Sequence, residues 1–359
     1  MEATLNEKLE QAAADFAAKT ETEKEEAGKP RSIYSLIEQE IIESDLPLDE
    51  KNKKLSRLAK IKYLPLNIML VGGTGCGKSS TINAMFDMNV AKVGTGVDPE
   101  TADIQGYQLD NLTVWDTPGL GDSPELDEKY TEEIKKKLSE LDKNGDPVID
   151  LVLVIIDASQ KDLNTVYDCI NDVLIPAMGD DAEKRILICL NQADMAMKGK
   201  HWLGDLNCPD TTLSEFLEEK AKAIGKRIAD TTGITFKPVY YCAGYTEADG
   251  EQLKPYNLSK LLYVILAAVP KEKRLSMADV LNPDQDMWEK DDQKKDYRYE
   301  IKKSFWEVVG DHITGGAEKG VEVGVWVLGA PGGVIGAVLG GAVGAIGGFF
   351  SALFNGRSW

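Results

Sequence analysis

The stretch Leu66–Thr81, LNIMLVGGTGCGKSST, constrains this chain more than any other. The apolar run Ile68–Val71 reads as a buried strand, and Ser80–Phe86 opens a short helix. Between them, Gly72-Gly73-Thr74-Gly75-Cys76-Gly77-Lys78-Ser79 fits G-x-x-x-x-G-K-[ST] at every fixed position. Glycines let the backbone curl until successive N–H groups point inward at phosphate oxygens, and the helix that follows adds its positive N-terminal end. The residues expected around the phosphates of a nucleotide are therefore Gly73, Thr74, Gly75, Cys76, Gly77, Lys78, Ser79 and Ser80. Lys78 would reach the β- and γ-phosphates, Ser79 would ligate Mg²⁺, and the Ser80 backbone would meet the α-phosphate. The bland alternative is a glycine turn joining strand to helix. A Lys-Ser pair in register with both elements argues against it.

Around this loop, strands and helices alternate. Asp110-Asn111 separates two short strand signals, Ile104–Leu109 and Leu112–Trp115, as a hairpin turn would. Glu125–Leu141 reads as a charged helix, Val148–Ile156 as a central parallel strand, and Leu163–Leu174 as a helix stopped by Pro176. Arg185–Leu190 is a further strand, Thr211 or Thr212 caps a helix running to Thr232-Gly233, and Val239–Cys242 and Asn257–Val269 close the series. The pattern predicts an α/β fold, a doubly wound and mostly parallel sheet, over residues 65–270. Before it, residues 1–30 read as a charged helical or disordered arm and residues 31–64 as a helical hairpin broken at Leu46-Pro47. After it, 271–310 reads as a linker with a loose helical arm, and 311–359 as a glycine-rich hydrophobic tail.

Composition removes several function classes. The 359 residues carry a formal charge of −19, which repels phosphate backbones and anionic lipid, so no nucleic-acid partner is expected. The local basic run Lys51–Lys62 is the solvated face of a helix. Five scattered cysteines without C-x-x-C spacing point to a reducing, cytoplasmic compartment and away from a disulfide or zinc framework. With two histidines, His201 and His312, a histidine-based site is not expected, and the polar, acidic N-terminus does not read as a signal peptide.

Other pieces follow in the order a guanine-nucleotide switch needs. Trp115-Asp116-Thr117-Pro118-Gly119 ends a strand, so Asp116 can hold Mg²⁺ through a water while the Gly119 N–H senses the γ-phosphate. Asn191-Gln192-Ala193-Asp194 fits N-[KQ]-x-D after a strand. The Asp194 carboxylate can accept from guanine N1–H and N2–H₂, an edge adenine does not offer. Cys242-Ala243-Gly244 falls where a backbone N–H would meet guanine O6.

GGTGCGKSST, DTPGLGD, NQAD and CAG, in that order, resemble the Era-like and septin-like P-loop GTPases of the translation-factor-related class, above all bacterial Era-related proteins with NQ-x-D. GKSSTINAMF also resembles the chloroplast outer-envelope import GTPases and the immunity-associated GTPases. The resemblance covers residues 65–270 and neither flank. It implies a GTPase binding GTP or GDP with Mg²⁺, Asn89–Thr101 as first switch and Asp116–Glu125 as second. It also implies Lys78, Thr101 and Gly119 as the catalytic set and Ser79, Thr101 and Asp116 around the metal, with Thr95 the alternative to Thr101. Three departures matter. Gln192 replaces the commoner Lys, which lowers the expected base affinity. Leu120 stands where Ras-like enzymes carry a water-orienting Gln, so hydrolysis should be slow without a group from a dimer or partner. Gly75 replaces the Asn of potassium-activated relatives, which argues against potassium activation, and Cys76 reads as a small loop residue before a redox sensor.

Two readings remain: a regulatory GTPase acting through a partner or membrane, and a nucleotide-stabilised structural or membrane-scaffold protein with incidental turnover. A homodimer or higher oligomer is expected in either. Val323–Phe354 contains no charged residue, and Gly332, Gly336, Gly340, Gly344 and Gly348 recur every fourth position. On a helix these form a close-approach stripe. Gly332–Phe354 spans 23 residues, roughly 34 Å at a rise of 1.5 Å, enough for a ~30 Å hydrocarbon layer. Membrane association through this tail is the expectation; a glycine-rich packing element is its alternative.

Overall fold

The computed structural model describes residues 32–86, 103–121, 123–246 and 252–314, together with Phe349 and Phe354. A central sheet of six strands runs in the order β2 (Gln105–Leu109), β3 (Leu112–Asp116), β1 (Leu66–Gly72), β4 (Leu151–Asp157), β5 (Ile186–Asn191) and β6 (Val239–Tyr240). Only β2 is antiparallel, folded onto β3 through a turn in which Asp110 takes φ 47°. The other neighbours pair in parallel. β1 and β4 are buried along their whole length, as strands covered on both faces must be.

Alternation along β1 and β4 divides the core in two. Ile68, Leu70, Leu151, Leu153 and Ile155 face one layer, which contains α1 (Ile33–Glu43), α2 (Leu48–Lys62), α3 (Lys78–Phe86), α7 (Leu258–Ala268) and α8 (Tyr297–Val308). Met69, Val71, Val152, Val154 and Ile156 face the other, made of α4 (Pro124–Leu138), the helical stretch starting with α5 (Asn164–Cys169), and α6 (Thr211–Thr232). The result is the expected doubly wound, mostly parallel α/β arrangement.

Local details depart from the sequence reading. The helix expected to stop before Pro176 continues through a π turn at Ile170–Leu174 into Ile175–Met178. Proline removes one intrahelical donor, and the shifted hydrogen-bond register takes up that loss. Asp210, not a threonine, caps α6 by accepting from Leu213 N at 2.9 Å, and Gly233 ends it at φ 75°. β6 is shorter than expected because Cys242 turns away to pair with Tyr256.

The largest difference lies after residue 270. The charge-rich composition of 271–310 suggests a loose arm, yet Leu275, Met277, Trp288, Ile301 and Phe305 are each 0% exposed in the first core layer. Ties of long sequence separation hold this segment. Asp279 accepts from Ser32 Oγ and Ile33 N, both at 2.6 Å, and so anchors the start of α1. Lys273 Nζ meets the buried Asp150 carboxylate at 2.6 Å. Among the described residues no helix is long and apolar enough to cross a membrane. The arm at 1–30 and the glycine stripe of the tail lie outside the described residues.

Candidate functional site

The C-terminal ends of β1, β3, β4 and β5 converge, and the loops leaving them form the site. Gly72 leaves β1 too close to β4 for any side chain: a Cβ there would stand 2.1 Å from Ile155 O. The loop then curls through Gly75 at φ +74° and Gly77 at φ +88°, conformations that favour glycine. Cys76 is 1% exposed, and burial pushes its thiol up against the opposing pull of Lys78, which makes it a poor nucleophile. Lys78 begins α3 almost buried and donates from Nζ to Gly72 O at 3.1 Å and Gly73 O at 3.3 Å. Its ammonium thus lies in the mouth of the loop. Ser80 lies in the same first turn, partly exposed.

The end of β3 joins this loop directly. Ser79 Oγ donates to Asp116 Oδ2 at 2.9 Å. Asp116 is 1% exposed, and burial raises its carboxyl while Lys78 and Ser79 oppose the rise. Asp116 Oδ1 is buried without a donor among the described residues. That orphaned oxygen beside a serine hydroxyl and a lysine fits a hydrated cation, so the donor set suits Mg²⁺, which Ser79 and Asp116 would hold. Thr101, the expected third oxygen, and its alternative Thr95 lie outside the described residues, as does the whole of Asn89–Thr101. Thr74 N donates to Leu120 O at 2.9 Å and Leu120 N to Gly72 O at 3.1 Å, which staples the loop after Asp116 onto the phosphate loop. Gly119 sits in this contact: a Cβ would come within 2.3 Å of Thr74 Oγ1. Leu120 turns its side chain into the second core, 3% exposed, and offers no polar atom to the site.

The loop after β5 ties to the same place. Asn191 Nδ2 donates to Cys76 O at 3.0 Å, and Asn191 Oδ1 accepts from Ala243 N at 3.0 Å. One buried amide thus links three loops. Gln192, at φ 58°, reaches back with Nε2 to Gly75 O at 2.6 Å. The Asp194 carboxylate lies beside Cys242, whose thiol is pushed well up by burial and by that charge. Asp194 Oδ1 has no hydrogen-bond donor among the described residues. An acceptor in that position fits a ligand edge made of N–H groups. Cys242 and Ala243 are both buried beneath it.

Sequence reasoning missed the pair that braces the floor. Thr81 Oγ1 bonds to Gly77 O at 2.8 Å and lies 2.7 Å from Tyr241 Oη, joining α3 to the strand end before Ala243. Burial raises the Tyr241 hydroxyl far above its ordinary range, so it stays neutral. The only signal in the sequence is that Thr81 falls one helical turn after Gly77. Its partner is 160 residues away.

Residues 67–192 match the model of the family described as 50S ribosome-binding GTPase. The chain is similar to the uncharacterized protein YfjP of Escherichia coli (29% identity over 43% of this chain and 50% of that one). It is also similar to interferon-gamma-inducible GTPase 10 of Mus musculus (34% identity over 22% of this chain and 20% of that one). The chain therefore spans half or less of the curated relatives it matches. Toc33 from Arabidopsis thaliana in complex with GDP and Mg²⁺ aligns with a TM-score of 0.37 and 18% identity, over 60% of this chain and 89% of that one. The fold is thus the α/β arrangement of a P-loop GTPase, and the family model of 50S ribosome-binding GTPases matches it over residues 67–192.

Proposed function

We propose that the chain is a guanine-nucleotide switch of the Era-like kind, binding GTP and GDP with Mg²⁺ and hydrolysing GTP slowly on its own. The observation that carries this is the pair of donorless buried acceptors, Asp116 Oδ1 and Asp194 Oδ1, at loops tied to one phosphate loop through Ser79 and through Gly75. Asp194 would accept from guanine N1–H and N2–H₂, and the Ala243–Gly244 backbone would face O6. Lys78 would move its ammonium from loop carbonyls to the β- and γ-phosphates. Mg²⁺, when bound, supplies charge neutralisation for the β/γ oxygens. Slow turnover follows from Leu120, whose buried side chain cannot orient water.

The same leucine favours a second reading, an assembly protein in which GTP governs association and turnover is incidental. Turnover per molecule with a partner added separates the two: many cycles for a switch, about one for a scaffold. Membrane association through the tail belongs to both readings and is supported by the uncharged, glycine-spaced stretch Val323–Phe354. Flotation with vesicles tests it, and a chain that never co-floats ends it. Ribosome binding is not part of the proposal, because a charge of −19 opposes RNA.

The deciding experiment is nucleotide selectivity. The parent chain should bind fluorescent GDP far better than fluorescent ADP. Asp194→Asn should weaken GDP and strengthen xanthosine diphosphate, because an amide nitrogen can face O2 where the carboxylate faced an amino group. Equal affinity of the parent for GDP and ADP overturns the reading.

A further inference from the structure

Phe354 closes the uncharged stretch near the C-terminal end of the sequence, and it is buried in the first core layer at 3% exposure. Its ring meets Trp288 edge-to-face, with centroids 6.1 Å apart and planes at 77°. Lys302 Nζ, from α8, lies 5.8 Å from the centroid of the same ring. Phe349, five positions earlier in the sequence, packs partly buried against the same core. Phe354 thus rests on the segment that follows residue 270, and Phe349 on the same core layer.

The receiving wall is fixed independently of the tail. Trp288 is 0% exposed and donates from Nε1 to Asn282 O at 2.9 Å. Asn282 in turn donates from its backbone N to Met85 O at 2.8 Å and from Nδ2 to Ala84 O at 3.0 Å. Those carbonyls belong to the last turn of α3, where helical C=O groups lack partners within the helix. Asn282 answers them and thereby sets Trp288 at a defined place relative to the phosphate-loop helix. An aromatic edge, a cation and an apolar floor make a pocket suited to one more aromatic ring.

We propose that Trp288 and Lys302 form an intramolecular docking site for the C-terminal segment of this same chain, with Phe354 as its anchor. The site is a clasp that retains Phe354 against the first core layer. Because occupant and site share a chain, docking is governed by effective concentration and does not depend on protein concentration. The proposal stands whether or not the nucleotide reading holds.

The test is ¹⁹F NMR of the full chain carrying 5-fluorotryptophan, with the Trp288 resonance assigned from Trp288→Phe. Phe354→Ala should shift that resonance and enlarge its H₂O/D₂O isotope shift, while the Trp115 and Trp202 resonances stay in place and report an intact fold. Phe354→Leu should give a smaller displacement, and Lys302→Gln a shift without increased solvent exposure. The Phe354-dependent position should persist on hundredfold dilution. A Trp288 resonance indifferent to Phe354→Ala overturns the proposal. So does one that reaches the Phe354→Ala position when the parent is diluted, since the occupant would then be a second copy.

Discussion

Replacing Asn191 by Ala tests whether one buried amide holds the nucleotide loops together. Asn191 is 2% exposed, with Nδ2 at 3.0 Å from Cys76 O and Oδ1 at 3.0 Å from Ala243 N. Alanine keeps the strand end but leaves that carbonyl and that amide buried and unpaired. Each such orphan costs about 1–3 kcal/mol, and entry of water trims the pair to roughly 2–4 kcal/mol. In a protein of this size 1 kcal/mol moves the melting temperature by about 1–2 °C, so the loss should be roughly 2–8 °C. Differential scanning calorimetry without nucleotide reads this directly, because both bonds lie within the protein. Gln192→Ala is the control. It removes an exposed bond to Gly75 O, and it should cost about 1 kcal/mol or less. Fluorescent GDP should bind Asn191→Ala more weakly by a factor of about ten or more, since the loops bearing Asp194 and Ala243 lose their common tie. If Asn191→Ala melts within about 1 °C of the parent, the amide is not what joins the three loops.

Lys78→Ala removes a cation that would make two charge-assisted bonds of about 1.5–3 kcal/mol each, so affinity for a fluorescent non-hydrolysable GTP analogue should fall by roughly 10² to 10⁴. A loss smaller than tenfold would mean Lys78 stays on its loop carbonyls. Leu120→Ala empties buried space beside α4 and should destabilise the protein by about 2–5 kcal/mol in urea, yet change single-turnover GTP hydrolysis by less than about tenfold, since its backbone bonds persist. A larger rate change would give that side chain a role in turnover. Asp292 supplies a pH test. Burial alone would raise its carboxyl, but Lys260 Nζ at 2.6 Å, Tyr297 Oη at 2.9 Å and the Lys294 amide hold it below the ordinary 3.8. A carboxyl depressed in the folded state stabilises above its unfolded value and loses that contribution as pH falls through the folded one. Urea midpoints of the parent should therefore drop below pH 3.8 more steeply than those of Asp292→Asn, and parallel curves would refute the assignment.

The legible parts of this molecule are those written in short windows. Alternation and apolar runs marked β1, β4 and β5, and fixed glycines marked the phosphate loop, because φ +74° at Gly75 and φ +88° at Gly77 suit glycine. NQAD announced itself by following a strand. What the motif could not announce is how its members reach the phosphate loop. Asn191 meets Cys76 across 115 positions and Gln192 meets Gly75 across 117, distances over which no pattern of residues encodes a partner. The cap of α6 falls one or two residues before the expected threonines because Asp210, Thr211 and Thr212 all carry an oxygen able to cap, and composition does not choose among them.

The segment after residue 270 was misread because composition averages over positions. Its charges are real, but Lys273, Asp279 and Asp292 pair with Asp150, the start of α1 and Lys260, while Leu275, Met277, Trp288, Ile301 and Phe305 enter the first core layer. The consequence reaches the nucleotide site. α3 begins at Lys78, whose ammonium is proposed to bind phosphate, and it ends at carbonyls satisfied by Asn282, 198 residues beyond Ala84. A helix whose last turn is completed from elsewhere owes part of its stability to that source. α1 depends on the same segment at its first turn through Asp279. Two of the helices on this face, α1 and α3, are thus finished by residues outside the matched stretch 67–192. Whatever binds or releases the segment at 275–309 acts on the far end of the helix that holds Lys78.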